Sequence, residues 1–267
     1  MVKASFIMGT MNSSSRISKT IDSIIAQTEK EWELIVFDDG SIDGTYEILK
    51  NYANIDNRIK VYRNEKNLKL QKTLNKAISQ SSSPYLVRID DDDLCLPNRL
   101  EKQLKFMNEN PDYVICGSNA NLIENGVVWG EIKKNEKPTK LDIYSGRSFI
   151  HPSVIMRTDI IKKLGGYDES PKYERCEDYE LWCRIYSHGY IGYNLQESLI
   201  NYHESKNDYL KRTNKNRIIF INASLVQKKK MRIGIIGYKH IFNNIIKLMI
   251  PNFFIYQFKK IKLIKKN

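Results

Sequence analysis

Four consecutive aspartates, Asp90 to Asp93, close the apolar run Tyr85-Leu-Val-Arg-Ile89, and Pro97 follows them. Carboxylates this close cannot all stay ionised at low cost in a desolvated cleft. Their pKa values rise, or a cation neutralises them. Carboxylate oxygens suit hard divalent cations such as Mg²⁺ or Mn²⁺. The competing reading is a solvated acidic turn. A second pair, Asp38-Asp39, ends the apolar run Glu33-Leu-Ile-Val-Phe37. Followed by Gly40-Ser41, it also fits a simple turn signal. One acid at such a strand end can accept hydrogen bonds from a base or from ribose hydroxyls. Another can hold a cation that bridges a diphosphate and offsets charge on a leaving phosphate. A third pair, Glu177-Asp178, opens an amphipathic stretch. There, acids are also favoured simply by the helix dipole.

Strands and helices must position these acids. Apolar runs predict strands at Ser5–Met8, Glu33–Phe37, Ile59–Tyr62, Tyr85–Ile89 and Tyr113–Gly117. Helical spacing predicts helices over Ser15–Thr28, from Thr45 (a plausible cap) through Leu49, and over Leu70–Ser79. A further helix over Leu96–Met107 starts around Pro97. Strands alternating with helices of this length imply an α/β fold with a mainly parallel sheet and right-handed crossovers. From about Asn119 the pattern loosens. Lys133–Lys140 reads as a loop, His151–Arg157 as a strand, and Thr158–Leu164 as a helix closed by Gly165-Gly166. Glu177–His188 reads as an amphipathic helix in which Trp182 is a core residue. No G-x-G-x-x-G or G-x-x-x-x-G-K-[ST] follows the first strand, which argues against a dinucleotide-dependent dehydrogenase or a P-loop enzyme.

The 267 residues suffice for one large core. The four cysteines, Cys95, Cys116, Cys176 and Cys183, show no metal-ligand spacing and read as reduced thiols. The run Val2–Met8 is too short for a signal peptide. The net charge of +12 is unevenly spread. Residues 206–267 carry sixteen Lys or Arg against one Asp, whereas residues 1–205 sum to −3. Such a tail implies an anionic partner.

Taken in order, these segments resemble glycosyltransferase family 2 and its GT-A fold. The matching stretches are Ile7–Asn12, Glu33–Thr45, Arg88–Asp93 with Pro97–Glu101, His151–Arg157, Gly165–Asp168 and Glu177–Trp182. The resemblance spans about residues 4–205. It implies an inverting enzyme that moves a sugar from a nucleotide sugar, UDP-sugar by analogy, to a saccharide or lipid-linked saccharide. The setting implied is surface polysaccharide or lipopolysaccharide assembly. It implies a nucleotide-sugar-binding half at 1–118 and an acceptor-binding half of the same domain at 119–205, and the charge count sets off a basic, mostly helical extension at 206–267. By resemblance Asp39 contacts the base, with Asp38 nearby. The donor-binding set is Thr10, Asn12, Asp38, Asp39, Lys69, Arg88, Asp90 and Asp91. Asp90-Asp91-Asp92 fills the DxD position, with Asp92 and His203 as ligands of Mg²⁺ or Mn²⁺ and with Asp91 and Asp93 contributing mainly field. Asp178, beside Glu177, becomes the general base that takes the acceptor hydroxyl's proton. His151-Pro152 shapes a loop beside the acceptor cleft. Three departures stand out: Gly9 stands where Pro or another residue is usual, Met11 replaces a common Tyr near the base, and Lys69 stands where Gly is common.

In the tail, apolar residues and aromatics interleave with lysines, and no apolar segment reaches the roughly 20 residues of a spanning helix. An amphipathic segment lying on an anionic membrane surface is expected, in competition with a helical cap packed on the domain. Nucleic acid is not an expected partner, and the protein is placed at the cytoplasmic face of the cell membrane. Two other classes compete: a nucleotidyltransferase with a similar acidic metal site, and a non-catalytic glycan- or membrane-binding protein.

Overall fold

A computed structural model describes residues 2–204 and 213–264. Lys206, Lys211, Arg212, Lys265 and Lys266, counted in the basic tail, lie outside the described residues.

The first half alternates as expected. Strand β1 (Ala4–Thr10) leads to α1 (Ile17–Ile25), β2 (Trp32–Asp38), α2 (Thr45–Ile55), β3 (Ile59–Arg63), α3 (Leu70–Gln80) and β4 (Tyr85–Arg88). These strands pair in parallel in the order β3-β2-β1-β4, with Thr10 in register with Asp38 and Ile7 with Arg88. Both faces of the sheet are covered, so alternate residues enter opposite cores: Phe6 and Met8 on one side, Ile7 on the other. In α1, Ile17, Ile21 and Ile24 recur at helical spacing and are fully buried.

Two boundaries differ from expectation. The cap of α2 is Gly44, in the left-handed region at φ 87°, and Thr45 is the first helical residue. The Thr45 hydroxyl instead donates to Asp43 Oδ1 and accepts from the Ser13 N–H. Pro97 precedes α4 (Arg99–Glu109) rather than sitting in its first turn, and its carbonyl accepts from the Thr28 N–H.

Beyond β4 the sheet becomes mixed. Strand β5 (Leu94–Cys95) is two residues long. The long β6 (Tyr113–Glu124) turns back into β7 (Val127–Ile132). At that turn Asn125 and Gly126 both have positive φ, the conformation an Asn-Gly hairpin requires. Next come α5 (Lys140–Tyr144), a 3₁₀ turn at His151–Ser153, β8 (Ile155–Arg157) and α6 (Thr158–Lys163). The predicted strand at 151–157 is therefore half helical turn. A second 3₁₀ turn (Pro171–Tyr173) precedes α7 (Glu177–Ser187) and β9 (Ile191–His203). Strand β8 bridges β4 and β6 antiparallel, and β9 runs parallel to β6. The expected division at residue 118 falls inside β6, so the two halves share one continuous sheet.

Three helices complete the chain: α8 (Asn214–Lys230), α9 (Ile236–Leu248) and α10 (Asn252–Ile264). The first of them packs on the domain. Ala223 and Met231 enter the core beside Tyr144, Tyr173 and Tyr179. The Tyr144 hydroxyl donates to the Gly237 carbonyl at 3.3 Å. Arg217 ties the end of α9 to the start of α10 through the carbonyls of Lys247 and Ile250 and the Asn252 side chain. Beyond that contact an apolar face is open: Phe242, Met249 and Phe258 are 61%, 85% and 71% exposed. Among the described residues no helix is long and apolar enough to cross a membrane.

Candidate active site

Strands β1, β2 and β4 deliver Thr10, Asp38-Asp39 and Asp90 to one edge, the carboxyl end of the parallel sheet. That is where open α/β sheets form their ligand crevices. Two cavities lie there. One, of about 260 Å³, is bordered by Thr10, Met11, Asp39, Lys69, Asp90 and Asp91. The other, of about 930 Å³, is bordered by His151, Asp178, Tyr202, Glu204 and the α8 residues Asn216 and Arg217. Leu70, Asp90, Arg175 and Glu177 border both.

The acids divide by environment. Asp38 is fully buried, ion-paired to Arg63 Nε at 3.1 Å and accepting from the Ser41 N–H. It holds a turn and borders neither cavity. Asp39 accepts from Asn64 Nδ2 (2.8 Å) and from the backbone N–H groups of Leu68 (2.9 Å) and Lys69 (3.1 Å). A carboxylate offers about four acceptor positions, so one remains open toward the cavity. Asn12 does not reach the cavity. Its side chain accepts from the Ile42 N–H and its own N–H donates to Ser41 Oγ, tying the β1 and β2 ends together.

Arg88, expected among the donor-binding residues, is fully buried. It donates to the Ile89 carbonyl and pairs with Asp90. Burial opposes its charge, but Asp90, Tyr167 and Glu177 together outweigh that and raise its pKa. Arg88 thus positions Asp90 from below instead of facing a ligand. Asp91 has specific partners, more than the general field expected of it. It accepts from Thr10 Oγ1 at 2.6 Å and from Ser13 Oγ, and Arg16 Nε lies 3.6 Å away. Sequence reading missed Ser13 and Arg16 because no local pattern links them to Asp91.

Burial, reinforced by Asp90 and Asp91, pushes the Asp92 carboxyl up to about 6. Its Oδ2 lies 3.8 Å from His203 Nδ1. Asp93 is fully buried. Its Oδ1 accepts from the His203 N–H at 2.8 Å, while among the described residues no group donates to its Oδ2. Burial, then Asp90 and Asp92, holds its pKa well above the usual range. Strand β9 is what brings His203 here. Among the described residues no three His, Cys, Asp or Glu side chains form a ready-made metal cage.

On the other side, α7 begins at the cavity edge. Burial, then the Asp178 charge, pushes Glu177 up to about 7. Burial also raises Asp178, which is opposed at longer range by Lys134. The start of α7 is anchored one turn on. Arg184 pairs with Glu180 and donates to the carbonyls of Leu164 and Gly166. A side chain at Gly166 would strike Asn75 Oδ1 at 2.4 Å, and Asn75 in turn clasps the backbone of Tyr167. Tyr167 Oη meets His151 Nε2 at 2.7 Å. Burial, then Arg88, holds His151 neutral by lowering its pKa well below the usual range. Trp182 is 1% exposed and packs edge-on against Phe149 and His151, as a core residue does.

Lys69 has φ 77° and ψ 158°, a backbone region nearly reserved for glycine, which explains why Gly would be at home there. Its ammonium lies 3.8 Å from Glu174. All four cysteines are buried and free.

A crevice at the carboxyl ends of β1, β2 and β4, with acids on both sides, defines a GT-A type transferase. The chain belongs to glycosyltransferase family 2, whose sequence model, Glycosyl transferase family 2, matches residues 5–165. It is 34% identical over 252 residues to EpsE of Bacillus subtilis (strain 168), covering 93% of this chain and 90% of that one. It is 35% identical over 206 residues to the O-antigen biosynthesis glycosyltransferase WbnJ of Escherichia coli, covering 74% and 78%. The fold matches S. aureus TarS 1–349 in complex with UDP at a TM-score of 0.66 and 22% identity, covering 86% of this chain and 69% of that one. The protein is therefore a glycosyltransferase enzyme, which sets aside the nucleotidyltransferase and non-catalytic readings.

Proposed function

We propose that this enzyme transfers a sugar from a nucleotide sugar, UDP-sugar first among candidates, to a saccharide or lipid-linked saccharide with inversion at the anomeric carbon. The observation that carries this is the division of acids. Asp39, Asp90 and Asp91 border the smaller cavity, Asp178 borders the larger one, and Asp90 and Glu177 stand at their junction. A donor in the first cavity and an acceptor in the second would meet at that junction. Asp178 accepts the acceptor hydroxyl's proton as its oxygen bonds to the anomeric carbon, and the electron pair of the broken bond leaves with the nucleoside diphosphate. A single in-line displacement of this kind inverts configuration. The TarS complex with UDP supports a uridine donor, and WbnJ, named for O-antigen biosynthesis, supports a surface-glycan product.

The donor set fits Mg²⁺ or Mn²⁺ held by Asp92 and His203. Two protein groups stand side by side, and such ions complete their shell with water and substrate phosphates. When bound, the ion offsets charge on the leaving diphosphate. The protein's own part is to hold Asp92 and His203 together through Asp93.

The exposed apolar face of α9 and α10, with Lys239 and Lys247 nearby in sequence, supports docking on the anionic inner face of the cell membrane. A panel of nucleotide sugars with Mg²⁺ or Mn²⁺, read by release of nucleoside diphosphate, tests the reaction. Release from one donor that Asp178→Asn abolishes is the expected result. Release of pyrophosphate, or of nothing from any donor, would overturn it.

A further inference from the structure

Residues Tyr173-Glu174-Arg175-Cys176 form a type II turn at the entrance to α7. The Cys176 N–H donates to the Tyr173 carbonyl at 3.0 Å, Glu174 has φ −57° and ψ 128°, and Arg175 has φ 69°. The third position of this turn calls for glycine, because L side chains rarely adopt positive φ. An arginine is held there instead. Its side chain is exposed and makes no hydrogen bond or ion pair among the described residues. It is the one basic residue, among those described, that borders both cavities. The smaller cavity is bordered by five acids, Asp39, Asp90, Asp91, Glu174 and Glu177, against two cations. Its other cation, Lys69, also sits on positive-φ backbone and is already within reach of Glu174.

Non-glycine residues held on strained backbone cluster at active sites and ligand clamps. A guanidinium between a donor cavity and an acceptor cavity suits a diphosphate, whose oxygens it can grip in pairs. We propose that Arg175 is a catalytic residue that binds the nucleoside diphosphate and takes up its charge as the bond to the anomeric carbon breaks. The electron pair of that bond goes to the diphosphate oxygen, and the acceptor's proton goes to Asp178. This rests on the nucleotide-sugar reading. It goes beyond it by assigning the leaving-group contact to a residue outside the acidic motifs. The acids alone would repel a departing diphosphate, so a cation that meets it at the junction as its charge develops raises the rate rather than only the affinity.

The test is calorimetric titration of the full-length protein with UDP, GDP and UMP in Mn²⁺, together with donor kinetics, for wild type, Arg175→Gln, Arg175→Lys and Arg175→Gly. Glycine suits the turn, so Arg175→Gly removes the charge without endangering the fold. Both neutral variants should lose kcat/KM by roughly 100-fold, the scale for a lost transition-state donor. They should bind the nucleoside diphosphate more weakly and UMP little changed, with Arg175→Lys intermediate. Unchanged diphosphate affinity and kcat in Arg175→Gly and Arg175→Gln would overturn the inference alone. Wild-type protein that binds neither UDP nor GDP would overturn the nucleotide-sugar reading and this inference with it.

Discussion

His203 Nδ1 lies 3.8 Å from Asp92 Oδ2, and the N–H of the same histidine donates to Asp93 at 2.8 Å. The end of β9 is thereby fastened to the acidic run after β4. Asp92→Ala is expected to abolish transfer. His203→Gln should raise the Mn²⁺ concentration needed for half-maximal rate by roughly 10- to 100-fold. Initial rates across a Mn²⁺ series check this, and unchanged metal dependence in both variants would refute the assignment.

Asp91 accepts from two hydroxyls at the end of β1. Its removal leaves Thr10 Oγ1 without its acceptor and Ser13 Oγ with only the 3.4 Å bond to the Met11 carbonyl. Asp91→Ala should therefore destabilise the protein by about 1–3 kcal/mol. Denaturant unfolding measures it, and a full-stability Asp91→Ala protein would show the contact to be dispensable.

Glu177 carries a carboxyl raised to about 7 by burial and by Asp178. The folded state therefore binds a proton that the unfolded chain has released above its ordinary carboxylate range. The sign follows: stability falls as pH rises from about 4.5 to about 7. Glu177→Gln removes that dependence. Its melting temperature should gain on wild type across the window. Parallel pH profiles for the two proteins would contradict the account.

The open face of α9 and α10 should bind vesicles rich in anionic phospholipid and release them at high salt. Replacing Phe242, Met249 and Phe258 with serine should reduce co-sedimentation at least tenfold, on a scale of about 1.5–3 kcal/mol per buried apolar side chain. These residues are exposed, so the fold is spared. Equal partitioning of wild type and the triple variant would remove the membrane from the account.

What was legible in the sequence was short-range. Asp90–Asp93, Asp38-Asp39 and Glu177-Asp178 each follow or open a clear apolar pattern, and the β/α alternation before Asn119 placed them. Strand β9 was not legible, because Gly192, Asn194, Gln196 and Glu197 break its alternation, yet it delivers His203. The β6–β7 hairpin did carry a signal, Asn125-Gly126, in a region read as irregular. Partners distant in sequence, such as Arg63 with Asp38 or Ser13 with Asp91, leave no local trace. Arg175 was hidden for a different reason: the turn it occupies is normally announced by glycine. In the tail, Ala223 and Met231 reach the core, as a helical cap packed on the domain requires. Of the two expectations for the tail, the cap describes α8, which packs on the domain, and the exposed apolar residues Phe242, Met249 and Phe258 lie further along.

The central claim is a single displacement assisted by Asp178. The most direct measurement is nuclear magnetic resonance of the product's anomeric signal, taken early in the reaction with the donor that supports turnover. The account predicts the configuration opposite to that of the donor, with no product from Asp178→Asn. A product that keeps the donor's configuration would contradict it.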